Sequence, residues 1–197
     1  MKNSKQIKTL ELTDPRSLRA LAHPLRLELM ALLRTRGPLT ATEAAELTEE
    51  SAGSCSFHFR QLAKWGLVEE AVHGPGRKRP WRATADVTTW STLATPDGQN
   101  AAEQLDRVLA ERYFAGLLQW YGRKTSESAE WVAASTTTDV QFSLTLEELV
   151  RLNQDMRAIL IRWAEKTADR PAGDDTRLVQ FVGWTYPLGV SSQGKHQ

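Results

Sequence analysis

Cysteine is nearly missing from this chain: one residue in 197, Cys55. A lone thiol excludes an internal disulfide framework and fits a reducing compartment. Long apolar runs are missing as well. None approaches the ~20 residues of a membrane-crossing helix. The opening MKNSKQIKTLELTD has no apolar signal core, so a cytoplasmic location is expected. Catalytic motifs are equally scarce. The chain holds no Walker loop, no GxGxxG after a strand, no GxSxG and no HExxH, so neither an enzyme nor a cofactor is expected. The histidines are few, and His23, His58, His73 and His196 lack the clustered spacing of a zinc site. No repeat or low-complexity tract is visible.

What remains is ordinary globular material, 41% hydrophobic and 25% charged, enough for one domain with a real core or two small ones. The net charge of +1 is spread unevenly. Residues 1–86 carry 14 Lys and Arg against 10 Asp and Glu, and residues 87–197 carry 11 against 14. The most concentrated positive charge is Arg77, Lys78, Arg79 and Arg82, a pattern more often met at an anion-binding tip than in an idle turn.

Asp14-Pro15 reads as a helix start, an acidic N-cap followed by Pro at the first helical position. His23-Pro24 breaks that helix and begins another, whose Leu25, Leu29, Leu32 and Leu33 form a core-facing stripe ended by Gly37-Pro38. Thr40 and Glu43 form a capping box that opens a short helix to about Leu47. After a turn at 48–50, Ser51 caps a helix running to about Trp65 and stopped by Gly66. Residues 67–72 and 78–84 are extended arms around His73-Gly74-Pro75-Gly76. Together these are a helix-turn-helix with a hairpin wing.

On the helix over 51–65, Cys55, Phe59 and Leu62 recur at helical spacing and should face the core, with Cys55 as packing. The other face presents Gly53, Ser54, Ser56, Phe57, Arg60, Gln61 and Lys64. Small residues at the start allow close approach to base edges, Phe57 suits a thymine methyl, Arg60 a guanine or phosphate, and Lys64 a phosphate. His58 sits at the boundary between the faces. Its two readings are a packed hinge and a base contact. With Arg77, Lys78, Arg79 and Arg82 on the wing, the expected partner is duplex DNA: the helix in the major groove, the hairpin on phosphates or in the minor groove. The competing reading is a winged helix that binds another protein.

The residues Leu18-Arg-Ala-Leu-Ala-His-Pro-Leu-Arg-Leu27, Ser56-Phe-His-Phe-Arg-Gln-Leu-Ala-Lys-Trp-Gly-Leu-Val68 and Arg79-Pro-Trp-Arg82 resemble the ArsR-like winged-helix transcription regulators of bacteria, over about residues 14–90. The resemblance implies a homodimer that binds an operator and usually represses. Metal-sensing members carry Cys, Asp or His ligands on the helices matching 41–47 and 101–121. This chain has no Cys or His in either place, so no metal is expected.

The second half reads as a helix over 101–121 with Leu105, Leu109, Tyr113, Leu117 and Trp120 on one side, a strand over 140–144, a capping box at Thr145 and Glu148 opening a long helix to about Lys166, and a strand over 178–184 able to pair with 140–144. The inward stripe of the long helix is Leu149, Leu152, Met156, Ile159, Leu160 and Trp163. The plain account is a dimerisation region. The sharper one is a pocket for a small-molecule effector lined by Trp120, Tyr121, Trp131, Trp163 and Trp184. The expected fold class is mainly α within α+β. The expected organisation is a loose tail over 1–13, a winged helix-turn-helix over 14–90, a dimerisation or effector region over 91–186, and a disordered tail over 187–197.

Overall fold

A computed structural model describes residues 6–71, 79–90, 95–168, 170 and 176–188. The fold is α+β and mostly helical, and the chain divides into two compact units, Gln6–Thr136 and the chain from Thr137 onward.

In the first unit a short strand, β1 (Thr9–Leu12), leads into α1 (Pro15–Leu21). Asp14 caps α1 by accepting from the Arg16 amide. The next helix, α2 (Pro24–Arg36), starts on a proline and ends at Gly37, whose φ of 87° lies where side chains are disfavoured. It buries Leu25, Leu27, Leu29, Met30 and Leu33. The expected stripe is thus widened by Leu27 and Met30, and Leu32 is only half-buried, because α2 is covered on more than one side. Then α3 (Ala41–Thr48) opens on the complete Thr40–Glu43 capping box, and α4 (Ala52–Ala63) opens on Ser51. The connection turns at Glu49, the one described non-glycine residue with positive φ, at 57°. Gly66, at φ 68°, releases the chain into β2 (Val68–Glu70), which pairs antiparallel with β3 (Trp81–Ala83). Leu39 and Trp81 exchange backbone hydrogen bonds of 3.0 and 2.7 Å, an isolated bridge that joins the start of α3 to β3. This is a winged helix-turn-helix.

The sequence expectations need correction at both margins of this domain. Residues 9–12 are a strand rather than loose tail, and residues 87–90, expected as linker, form β4 (Val87–Trp90), parallel to β1. The Lys8 carbonyl accepts from the Asp86 and Val87 amides, and the Lys8 amide donates to Asp86 Oδ2 at 2.9 Å. Nothing local in TLEL announces a strand. Its partner lies about 78 residues away, and the burial of Leu12 is decided by that pairing.

The first unit also takes in α5 (Pro96–Arg123), followed by a 3-10 turn and α6 (Ala129–Ala134). At 28 residues α5 is about 42 Å long. Its first half is core: Ala101, Ala102, Leu105 and Leu109 are buried with the α1 and α2 leucines. Arg19 of α1 pairs with Asp97, and the Trp90 indole donates to Asp106 at 3.1 Å. Beyond Tyr113 the apolar face emerges, and Phe114, Leu117, Leu118 and Tyr121 are exposed.

The second unit is α7 (Leu146–Thr167), opened by the Thr145–Glu148 capping box, with described residues before and after it that have no regular secondary structure. Residues 140–144 and 178–184, expected as paired strands, have no regular secondary structure and form no ladder with each other. Alternation drew the expectation, but a strand needs a partner as well as a pattern. Among the described residues no helix is long and apolar enough to cross a membrane.

Full burial of Leu105 against the helices of the winged domain predicts the effect of its truncation. Leu105→Ala should cost about 2–5 kcal/mol of unfolding free energy in urea titrations. A loss below about 0.5 kcal/mol would mean that α5 is not part of this core.

Candidate nucleic-acid interface

The site is built on α4, a helix with two unlike faces. Cys55, Phe59 and Leu62 have zero exposure. With Cys55 sealed in, its thiol lies 3.6 Å from Thr48 Oγ1, which ties α4 to the end of α3. A helix whose one stripe is held this firmly must present the opposite stripe outward. Gly53, Arg60 and Lys64 are exposed, Ser54 and Gln61 are half-buried, and the Phe57 ring is 51% exposed. Neither Arg60 nor Lys64 has an ion pair among the described residues, although Lys64 Nζ lies 6.0 Å from the centre of the Trp65 ring.

Ser56, the remaining candidate on α4, opens into a cleft of about 370 Å³. Thr40, Ala41 and Thr42 at the start of α3 line one side, Ser56 and Arg60 another, and Glu70, Arg79 and Trp81 the third. Hydroxyl groups, two guanidinium groups and the positive end of α3 thus meet beside the exposed α4 face. Trp81 fixes this geometry. Its ring stacks on Phe59 at 5.7 Å, so the base of the wing is locked to the buried side of α4. Neither Trp81 nor Thr42 was singled out in the sequence. Trp81 next to the cationic run was the available signal.

The wing corrects an electrostatic expectation. Arg79 donates to Glu70 at 2.8 Å and Arg82 lies 2.8 Å from Glu69. The antiparallel register sets Glu69 directly opposite Arg82, and Arg79 reaches Glu70 across the ladder. The carboxylate beside it holds the Arg79 guanidinium above its ordinary range. The described part of the wing is therefore charge-balanced, not an array of free cations. Arg77, Lys78 and the His73-Gly74-Pro75-Gly76 turn lie outside the described residues.

Two histidines that sequence spacing left scattered come together. The His58 ring on α4 lies 4.5 Å from the His23 ring at the start of α2, and Phe57 meets His58 edge-on at 5.2 Å. Nδ1 of both histidines and Nε of Arg26 are buried without a hydrogen-bond partner. His58 is thus packed between α4 and the start of α2, in line with the packing reading of the two. Among the described residues no three His, Cys, Asp or Glu side chains converge as metal ligands would.

The five aromatic residues considered for an effector pocket fall in both units. Trp120 and Tyr121 end α5, with the Arg123 guanidinium 5.7 Å from the Trp120 ring. Trp131 is on α6, Trp163 on α7 and Trp184 in the extended segment after it. Tyr121, Trp163 and Trp184 are exposed.

The histidine pair makes stability depend on pH. Burial is the main reason that both imidazoles titrate below their ordinary 6.5, with Arg26 adding to it and, at His58, His23 as well; Glu50 acts in the opposite sense. The unfolded chain therefore binds protons more readily than the folded one. Stability from this pair is complete above about pH 6.5 and is lost as pH falls through the lowered folded values. The thermal midpoint should drop between about pH 7.5 and pH 5, with a shallower drop in His58→Gln. Equal slopes in the two proteins would remove the pair as a cause.

A helix-turn-helix domain family matches residues 21–71, from the end of α1 through β2. No curated protein matches the chain. Solved structures similar to it include wild-type MarR from E. coli in its apo form, at 16% identity over 74% of this chain and 87% of that one, TM-score 0.30. The heme sensor protein PefR in complex with heme and carbon monoxide aligns at 15% identity over 79% and 84%, TM-score 0.31. S. aureus MepR bound to ethidium bromide aligns at 14% identity over 77% and 79%, TM-score 0.26. What the chain shares with known proteins is therefore the helix-turn-helix domain of its first unit.

Proposed function

We propose that this protein is a sequence-specific double-stranded-DNA-binding transcription regulator that acts as a homodimer and represses by occupying its operator. The observation that carries the reading is the outward face of α4. Phe57, Arg60 and Lys64 stand free of the core on a helix whose other side is completely buried. A helix of this kind fits the major groove, where Arg60 pairs with guanine or a phosphate and Phe57 lies against a thymine methyl. The cleft shared by Ser56, Arg60, Arg79 and the start of α3 suits a backbone phosphate beside that groove. Two copies related by a two-fold axis would set their recognition helices one turn, ~34–36 Å, apart.

The protein-interaction adaptor draws support from a different observation. Arg79 and Arg82 are already neutralised by Glu70 and Glu69, and Phe57 is exposed. On the DNA reading, these two solvent-exposed pairs are weak and exchange their carboxylates for phosphates.

Fluorescence anisotropy with fragments of the upstream DNA separates the two. Binding should be sequence-selective and weaken steeply with salt. Arg60→Ala should lose roughly 5–150-fold in affinity and relax the preference at one base position. The double change Glu69→Gln with Glu70→Gln should tighten binding to many sequences roughly several-fold by freeing both guanidinium groups. An adaptor would show no selective, salt-dependent binding, and neither substitution would matter.

A further inference from the structure

The unit beginning at Thr137 has no buried residue among those described, yet it is rich in large apolar side chains. Fifteen of the twenty-one exposed large apolar residues lie between Val140 and Leu188. At roughly 100 Å² of apolar surface for a side chain of this size, they offer more than the ~800 Å² that each partner contributes to a standard interface. A free unit of this kind would have no core of its own, and covering these side chains is what would give it one.

Its surfaces come in complementary kinds. Val140, Phe142 and Leu144 alternate with polar Gln141 and Ser143 in a segment without helix or ladder, the pattern of a strand with one apolar side. Backbone hydrogen bonds link neither residues 140–144 nor residues 178–183 to any other segment among the described residues. On α7, Met156, Ile159, Leu160 and Trp163 form an exposed stripe at helical spacing. Thr185 donates to Asn153 at 2.8 Å, which holds the second extended segment to the helix. One such unit therefore presents backbone without a partner among the described residues together with an open apolar layer, and an identical unit presents what both need. Charge does not oppose the match: residues 137–188 carry 6 Lys and Arg against 8 Asp and Glu, near neutrality with both signs mixed.

We infer that the described residues between 137 and 188 form an interface with the same residues of a second copy, in which residues 140–144 and 178–183 of the two chains pair into a common sheet covered by the two α7 helices. An isologous contact of this sort is closed by one two-fold axis. It removes the exposed strand edges that would otherwise invite open-ended association. The inference deepens the homodimer of the proposed function by giving its interface a place, and it stands apart from whether that dimer binds DNA.

Sedimentation equilibrium of the full-length chain, with amide hydrogen exchange read by mass spectrometry, tests it. The wild-type protein should be a dimer at micromolar concentration, with residues 140–144 and 178–183 protected. Protection should fall on dilution through the dissociation constant. Val140→Asp with Phe142→Asp, and separately Ile159→Asp, should each raise that constant by about 100-fold or more. The thermal transition of the Gln6–Thr136 unit should be retained, which shows that the variants fold. A monomeric variant should still bind a single DNA half-site, whereas a dimer that binds no DNA would defeat the functional proposal and leave this one standing. Three results would overturn the inference. One is a monomer at about 100 μM with unprotected segments. Another is a monomer with protected segments, which means that the same chain covers them. The third is a dimer insensitive to these variants but dissociated by Leu117→Asp on α5.

Discussion

The complete burial of Cys55, Phe59 and Leu62 on one side of α4 is the constraint from which the rest of the first unit follows. Twelve residues make barely more than three turns, too few for a helix to be stable by propensity. Packing holds it, and packing also sets its rotation. Once those three side chains are fixed, Phe57, Arg60 and Lys64 have no route inward. The same anchor positions the wing, because Trp81 lies on Phe59 and pairs its backbone with Leu39. The outward face of α4 and the wing are therefore referred to one rigid element.

The electrostatics of this surface are more restrained than a count of cations implies. On the wing, Glu69 and Glu70 meet Arg82 and Arg79, while Arg60 and Lys64 on the helix have no carboxylate on them among the described residues. Behind the helix, His23 and His58 meet with unsatisfied ring nitrogens beside Arg26. Neutral imidazoles tolerate that setting and charged ones do not. Protonation is accordingly disfavoured at the junction between α2 and α4.

The two units solve the problem of apolar surface in opposite ways. In Gln6–Thr136, helices, wing and the first half of α5 close over one another, and twenty apolar residues are buried, all of them before residue 110. After Thr137 a strongly amphipathic helix and two extended segments leave theirs open. In the proposed dimer a second copy would supply through association what the first unit achieves along one chain.

Local chemistry was written plainly in the sequence. Asp14-Pro15, the Thr40–Glu43 and Thr145–Glu148 capping boxes, Ser51 and Gly66 set element ends that the structure keeps, because caps and breakers act over three or four residues. The burial of Cys55, Phe59 and Leu62 was equally legible from helical spacing. What spacing along the chain left open was every long-range pairing: β1 with β4, the meeting of His23 with His58, Glu69 and Glu70 against the wing arginines, and the absence of a ladder between 140–144 and 178–184. These depend on which segments come within a few ångströms of each other. Only the packing of the whole chain decides that, because periodicity fixes which way a side chain faces and not what it will face.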